Sequence, residues 1–496
     1  MYDPKKRTRF NWWTPSFPLF ESRFFPISNS STFLLPIYRS LRLFYLVTTT
    51  LFHLTFLIFS LPPFSLHFPS IFDPKWTATQ RLVYPFLRRI IWALADVGDP
   101  NVLTRSTEEG ETPWWAWGLE EFTVRIGRGE RVKVQKERGV RLPEEACRKG
   151  WFVGERGAEL AKVNLFWFER EKEQGRSAQR EEGRFEPRSE NERIVMYLFG
   201  GGYVCGSPGE GGRCYKIARE TGLRVVGVSY RRATSKKKAF PAALQDVLAC
   251  YFHLTLDLGY RDIILAGDSA GGGLALNLLQ YLSETVYPSL SNSTEKAQFV
   301  LPSALLLISP WCDLTLDSFP KRGEENMTDI ILPSICSNSV RAYLERAREG
   351  STSFSTTRDQ INGDMKKESN GSVRGGLQTI EDYEDPSQHP WFSPALPSSL
   401  PALQSAIKAY LPSRSASASP RRRRPLRILL TLGTSELFYP SLVSLARNLE
   451  ALDETGVQVE TMEGQGEVHA FPLVPEWVSP NATKAWERLR IWFKEE

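Results

Sequence analysis

Residues 267–271 read GDSAG and sit between two apolar runs, Ile263–Ala266 before them and Leu274, Ala275, Leu276, Leu278 and Leu279 after them. The first run has the length of a buried strand and the second the spacing of a helix. Glycines on both sides of Ser269 let a strand turn sharply into a helix and push the serine hydroxyl into a cleft. That context makes Ser269 the candidate nucleophile. Small residues also cluster in ordinary turns, so acyl-transfer chemistry requires an oxyanion site, a base and an acid elsewhere in the chain.

Upstream, the mostly apolar run RIVMYL (Arg193–Leu198) breaks into Gly200, Gly201 and Gly202 before Tyr203. Glycines leave backbone N–H groups unshielded. Donors fixed in advance lower the energy of a tetrahedral oxyanion by roughly 2.7–4 kcal/mol each. Gly201, Gly202 and Ala270 are the candidate donors. Without the nucleophile motif, the same glycines would read as a plain turn after a strand.

Five histidines allow the general base to be sought by elimination. His53 and His67 lie in or beside an apolar stretch, His253 falls on a predicted helix, and His389 belongs to the Pro-rich segment HPWFSP. His469, in GEVHAF, follows a predicted strand, Val457–Met462, and precedes a predicted final helix, Ala482–Phe493. A loop there can carry an imidazole to a neighbouring strand end. For the orienting acid, the strand RILLTLG (Arg427–Gly433) ends in Thr434, Ser435 and Glu436. A carboxylate at a strand's C-terminal end faces the same rim as Ser269, and Glu436 there would hold the tautomer of His469 that accepts the serine proton. Asp268, Asp313 and Glu467 are the rival acids. Only Glu436 ends the strand just before the one leading to His469.

With these residues the chain resembles the hormone-sensitive-lipase-like branch of the α/β-hydrolases, and within it the membrane-bound arylacetamide and sterol deacetylases. The resemblance rests on YLFGGGYVCGS, SYRRA followed by FPAALQDVLA, GDSAGG, LISPWCDLT, HPWFSP, the strand ending in Glu436 and the loop with His469, in that order. It implies carboxylester hydrolysis by a Ser-His-Glu triad, with no metal or diffusible cofactor, on short acyl esters of apolar alcohols. Lipase action on longer chains is one alternative, and a catalytically weak fold that binds small molecules is another. The chain departs from the family pattern at Phe199, where the glycine block normally begins with histidine, and at TSKKK, which replaces an acidic, proline-containing turn.

At 496 residues and 41% hydrophobic, the chain can bury a large core, of which a hydrolase domain takes about 300–380 residues. Net charge is +5, with much of the basic excess in the N-terminal tail and in Arg421–Arg424. Nucleic-acid binding would require a basic face interleaved with aromatics, and the strand and helix segments have none. Six cysteines show no CxxC pair and no zinc spacing, so buried thiols are expected, with Cys205–Cys214 the pairing available in an oxidising lumen. No pattern assigns an oligomeric state.

Leu43–Leu61 is uncharged across nineteen positions and ends at Pro62 and Pro63. That suffices to span a bilayer core. Lys5, Lys6, Arg7, Arg9, Arg23, Arg39 and Arg42 precede it against Asp3 and Glu21, so the tail 1–42 is expected in the cytosol and residues 74–496 in the lumen of the endoplasmic reticulum. A buried cap helix and a monotopic anchor are the other readings. Sequons at Asn292, Asn326, Asn370 and Asn481 fall on the lumenal side.

An amphipathic helix is predicted over Thr77–Val97, with a kink at Pro85, in a region (74–110) that the resemblance implies would build a cap together with about 315–400. Strands are predicted at Glu120–Ile126, Ala161–Phe168, Ile194–Leu198, Arg224–Ser229, Ile263–Ala266, Ala304–Ile308, Arg427–Leu432 and Val457–Met462. Eight strands with intervening helices imply an α/β fold with a mostly parallel, doubly wound sheet. Residues 349–376 and 413–424, rich in Ser, Gly, Arg and Lys, read as disordered insertions.

Overall fold

The computed structural model describes residues 75–95, 121–126, 130–142, 160–171, 185–286, 300–319, 329–345, 385–410, 425–452 and 457–495, with isolated positions at 44, 47, 48, 51, 55 and 288. The tail 1–42, most of the apolar stretch 43–61, His53, His67, Cys147, three sequons (Asn292, Asn326, Asn370) and both insertions lie outside the described residues.

Nine strands form one sheet in the order β1-β2-β3-β5-β4-β6-β7-β8-β9. They are β1 Glu121–Ile126, β2 Glu130–Val140, β3 Val163–Arg170, β4 Arg193–Leu198, β5 Arg224–Ser229, β6 Asp262–Asp268, β7 Ala304–Ile308, β8 Leu426–Gly433 and β9 Val457–Gly464. The first three strands are antiparallel, β3 meets β5 antiparallel, and from β5 to β9 every pairing is parallel. The helices described are α1 Ala78–Ala95, α2 Arg213–Thr221, α3 Ala242–Phe252, α4 Ala270–Tyr281, α5 Pro333–Tyr343, α6 Leu400–Tyr410, α7 Tyr439–Glu450 and α8 Pro480–Lys494.

The expectation of eight strands is corrected to nine. The missing strand is β2, ERVKVQKERGV, in which six of eleven residues are charged. Val132 and Val134 are buried, but alternation then fails at an irregular register between Glu137 and Val140, where Gly139 adopts φ +82°. A bulge of this kind erases the period of two on which strand recognition depends.

The parallel strands β4 to β8 are apolar along most of their length because helices cover both faces, whereas β9, at the edge of the sheet, is largely polar. All five residues of β7 are buried, and Ile263–Asp268 of β6 are too. Parallel strands deliver their C-terminal ends to one rim, where Ser269, Ser309, Thr434 and Gln465 each follow the last residue of β6, β7, β8 and β9. Across this rim, backbone N–H groups reach the neighbouring strand: Ser269 donates to Ile308 O at 2.9 Å, Ser309 to Thr431 O at 2.9 Å and Thr434 to Gly464 O at 2.9 Å.

Candidate active site

Ser269 has φ 52° and ψ −123°, a left-handed elbow between β6 and α4. A non-glycine residue held there costs on the order of 1–3 kcal/mol, and the surroundings must enforce it. They do so by close approach. A Cβ on Gly271 would lie 2.1 Å from Leu198 O of β4, and one on Gly267 would lie 2.5 Å from the Gly271 backbone. Only bare backbone fits at both flanks of the serine.

The glycine loop after β4 is held by the residue preceding Ser269. Asp268 Oδ1 accepts from the Gly200 N–H at 2.9 Å and the Tyr197 hydroxyl at 2.7 Å, and Arg213 of α2 lies 3.4 Å from its Oδ2. Asp268 is therefore an anchor of the loop. Gly201 and Gly202 take φ +131° and +61°, followed by Tyr203 at +64°. The Gly201 carbonyl is engaged by the N–H groups of Val204 and Cys205, while the N–H groups of Gly201, Gly202 and Ala270 donate to no backbone acceptor among the described residues. Phe199 is buried with its ring stacked on Tyr230 at 4.1 Å, and the Tyr230 hydroxyl donates to its carbonyl at 2.5 Å. These two contacts fix Phe199 at the start of the glycine loop.

On the other side of the rim, Glu436 and His469 are hydrogen-bonded, Nδ1 to Oε2 at 3.0 Å, and both are buried. The second carboxylate oxygen accepts from Ser309 Oγ at 2.6 Å and from the Gly433 N–H at 2.5 Å. Burial pushes the Glu436 carboxyl above its usual range, against the opposing pull of His469. For His469, burial acts to lower the pKa, but the bond and charge of Glu436, with Asp329 and Asp268 adding to them, carry it above the ordinary imidazole value. The His469 ring meets Phe438 edge to face at 4.9 Å. Its Nε2 is buried with no hydrogen-bond partner, so the link to the Ser269 hydroxyl is not made in this structure. Catalytic hydrogen bonds of unliganded sites are often long and tighten with substrate.

Ser309 connects the two sides. Its N–H and Oγ bond to Thr431 O and Glu436, and Oγ also accepts the N–H of Ala470 at 3.0 Å, the residue after His469. Since β7 lies between β6 and β8, Ser309, the residue after it, sits between Ser269 and Glu436. Sequence reasoning assigned Ser309 no role, although it stands in LISPWCDLT, and strand order was the signal that would have found it.

The remaining candidates are placed elsewhere. Glu467 is fully buried and accepts Gln80 Nε2 (3.0 Å), Tyr84 OH (2.7 Å), Ser479 Oγ (2.8 Å) and Asn481 Nδ2 (2.8 Å), which ties α1 and α8 to the His469 loop. The Asn481 amide nitrogen, the atom a glycan would occupy, is thus engaged inside this network. Asp313 accepts from Thr315 and Ser318 within its own loop. His253 follows α3 and pairs with Glu137 and Asp257, both at 2.8 Å, and His389 accepts the N–H of Trp391 at 3.2 Å. Cys205, Cys214, Cys250, Cys312 and Cys336 are free thiols, so Cys205 and Cys214 are not bridged here.

A family described as "alpha/beta hydrolase fold" matches residues 195–367. The chain is similar to the putative acetyl-hydrolase LipR of Mycobacterium tuberculosis, 32% identical over 160 residues, which cover 32% of this chain and 47% of LipR. It is also similar to an acetyl-hydrolase of Streptomyces hygroscopicus, 35% identical over 134 residues, covering 26% of this chain and 40% of that one. The chain spans under half the length of either relative. An esterase structure from the bacterial hormone-sensitive lipase family matches at 21% identity and TM-score 0.41, covering 73% of this chain and 84% of that one. The parallel sheet and the family match together give the chain an α/β-hydrolase fold.

Proposed function

We propose that the protein is a serine carboxylesterase that removes short acyl groups, acetyl foremost, from apolar alcohols. The observation that carries the reading is the buried Glu436–His469 pair, joined through Ser309 to the strand end beside Ser269. Ser269 Oγ attacks the ester carbonyl while His469 Nε2 takes its proton, and the oxyanion forms where the N–H groups of Gly201, Gly202 and Ala270 can donate. The C–O bond to the alcohol then breaks, with His469 returning the proton to the leaving oxygen. Water, deprotonated by the same imidazole, releases the acid from the acyl-serine. The acetyl-hydrolase names of two relatives support the acyl preference. Hydrolysis of a chromogenic acetate ester by the purified protein, beside Ser269→Ala, tests it. Loss by about 10⁴-fold or more is expected. Equal rates in the two proteins would leave a small-molecule binding protein as the reading.

The arylacetamide-deacetylase-like arrangement, with a single span at 43–61 and a lumenal domain, is a second proposal. Phe44, Val47, Thr48, Leu51 and Thr55 are helical, and the hydroxyls of Thr48 and Thr55 each donate to the carbonyl four residues back at 2.9 Å, which satisfies them without water. Among the described residues no helix is long and apolar enough to cross a membrane. Resistance to alkaline carbonate extraction, lost on deletion of residues 1–72, is the expected behaviour. Extraction of the intact chain would overturn the anchor.

A further inference from the structure

Asp329 stands between β7 and α5, outside every motif in the sequence, and is buried. Its Oδ1 accepts the backbone N–H of His469 at 2.9 Å, and its Oδ2 accepts that of Leu437, the residue after Glu436, at 2.7 Å. One carboxylate thus grips the loops of both base and acid, 140 and 108 residues away in the chain. Oδ1 also receives the N–H of Ile330 at 2.7 Å, and the Asp329 carbonyl accepts from Arg88 of α1.

The segment that starts at Asp329 ends on the oxyanion loop. In α5, Tyr343 stacks on Tyr203 at 3.9 Å, and Ser339 comes so near Gly202 that a Cβ there would lie 2.7 Å from its Oγ. The Tyr343 carbonyl accepts the N–H of Phe240 at 2.9 Å, which fixes the far end. Building on the hydrolase reading, we infer that Asp329 is a positioning residue that holds Glu436 and His469 in register, and that the strap from Asp329 to Tyr343 ties this pair to the oxyanion loop.

The chemistry requires a carboxylate at this place. Two N–H groups from different loops converge on its two oxygens, and an amide would present one acceptor and one donor, so one loop would face N–H against N–H. The charged groups around His469 are Glu436 from the acid loop, Asp268 from the end of β6 and Asp329 itself, with Arg213 set against Asp268 and Arg88 against the Asp329 carbonyl. Removing the charge of Asp329 therefore lowers the basicity of His469 while its loop loosens.

The test uses the full chain and a chromogenic acetate ester, with Asp329→Asn, Asp329→Glu and Ser269→Ala side by side. For Asp329→Asn, kcat should fall about 100-fold with KM within about twofold, the size expected for displaced rather than missing catalytic groups. The acid limb of its pH profile should move to lower pH. Asp329→Glu keeps two acceptors and the charge, so it should fold, lose about 10-fold in kcat and leave the limb in place. A lower melting temperature with wild-type kcat and pH profile in either variant would make Asp329 a structural residue only. Activity lost in Ser269→Ala but untouched at position 329 would sink the positioning role alone, whereas unchanged activity in Ser269→Ala would sink the hydrolase reading beneath it.

Discussion

On the β4–β6 side of the rim, the turns at Ser269 and in the glycine loop are close-packed on backbone, at Gly271 against Leu198 O and Gly201 against Cys205 O, with the Asp268 carboxylate holding the Gly200 N–H. On the β8–β9 side, Glu436 and His469 are held by side-chain oxygens that arrive from distant segments: Ser309, Asp329 and, through Glu467, the helix α1. The first arrangement is largely steric and intolerant of an added atom at these glycines. The second is polar, supported from three distant parts of the chain, and its members can be loosened one at a time. The nucleophile side should therefore fail by not folding, and the base side by folding into a slower enzyme.

Gly271→Ala is the sharpest test of the steric side and the largest effect expected. Its new methyl would lie 2.1 Å from the carbonyl oxygen of Leu198, the last residue of β4, and 2.5 Å from that of Phe199, the residue after it, both backbone atoms that cannot swing aside. Overpacking of this kind costs about 3 kcal/mol or more, a large share of a domain's whole stability. Little folded protein is expected, read as loss of the cooperative thermal transition. A folded, active variant would show that the elbow is adjustable and that the contrast between the two sides is wrong.

Glu436→Gln tests the polar side at its centre. The variant should fold, because Gln fills the same volume, but kcat should drop by about 10²–10⁴-fold as the imidazole loses its orienting charge. The pH dependence supplies an independent sign. His469 sits above the ordinary imidazole value because the bond and charge of Glu436 outweigh burial. A base must be neutral to accept the serine proton, so wild-type kcat/KM should decline on acidification through an inflection above about 6.5. Without the charge of Glu436 the inflection should move to lower pH. An inflection that stays put would mean that the limb reports some group other than His469.

The same division governs what could be read from the chain before its structure. The elbow, the glycine block and the parallel strands were legible because each depends on neighbours a few residues away: glycines beside a serine, and apolar runs such as ALLLI at β7. Glu436 and His469 were legible through chain order at strand ends. Ser309 was quoted in a motif but given no role, since its partners come from β8 and the loop after β9. Asp329 had no local signature at all, because what defines it is two N–H groups more than a hundred residues away. β2 escaped because its charges and its bulge near Gly139 hide the alternation of Val132 and Val134.

Tyr84→Phe is the smallest effect and separates the support of the base loop from its catalytic geometry. Thr77 and Gln80 cap the start of α1 reciprocally, Thr77 N to Gln80 Oε1 at 2.8 Å and Gln80 N to Thr77 Oγ1 at 3.2 Å, which fixes the helix on which Tyr84 stands. The Tyr84 hydroxyl donates to Glu467 Oε2 at 2.7 Å, while the other oxygen of that carboxylate has Gln80, Ser479 and Asn481. Removing the hydroxyl leaves one buried carboxylate oxygen without its donor, at a cost of about 1–3 kcal/mol. The melting temperature should fall by several degrees, at roughly 2–4 °C per kcal/mol for a domain of 150–250 residues or somewhat less for this larger one. Because Asp329 still holds the His469 N–H, kcat should change by less than about threefold, or under about 0.7 kcal/mol in barrier. A large loss of kcat with an unchanged melting temperature would move α1 from the supporting structure into the catalytic apparatus, and the polar side of the rim would then extend to the N-terminal helix.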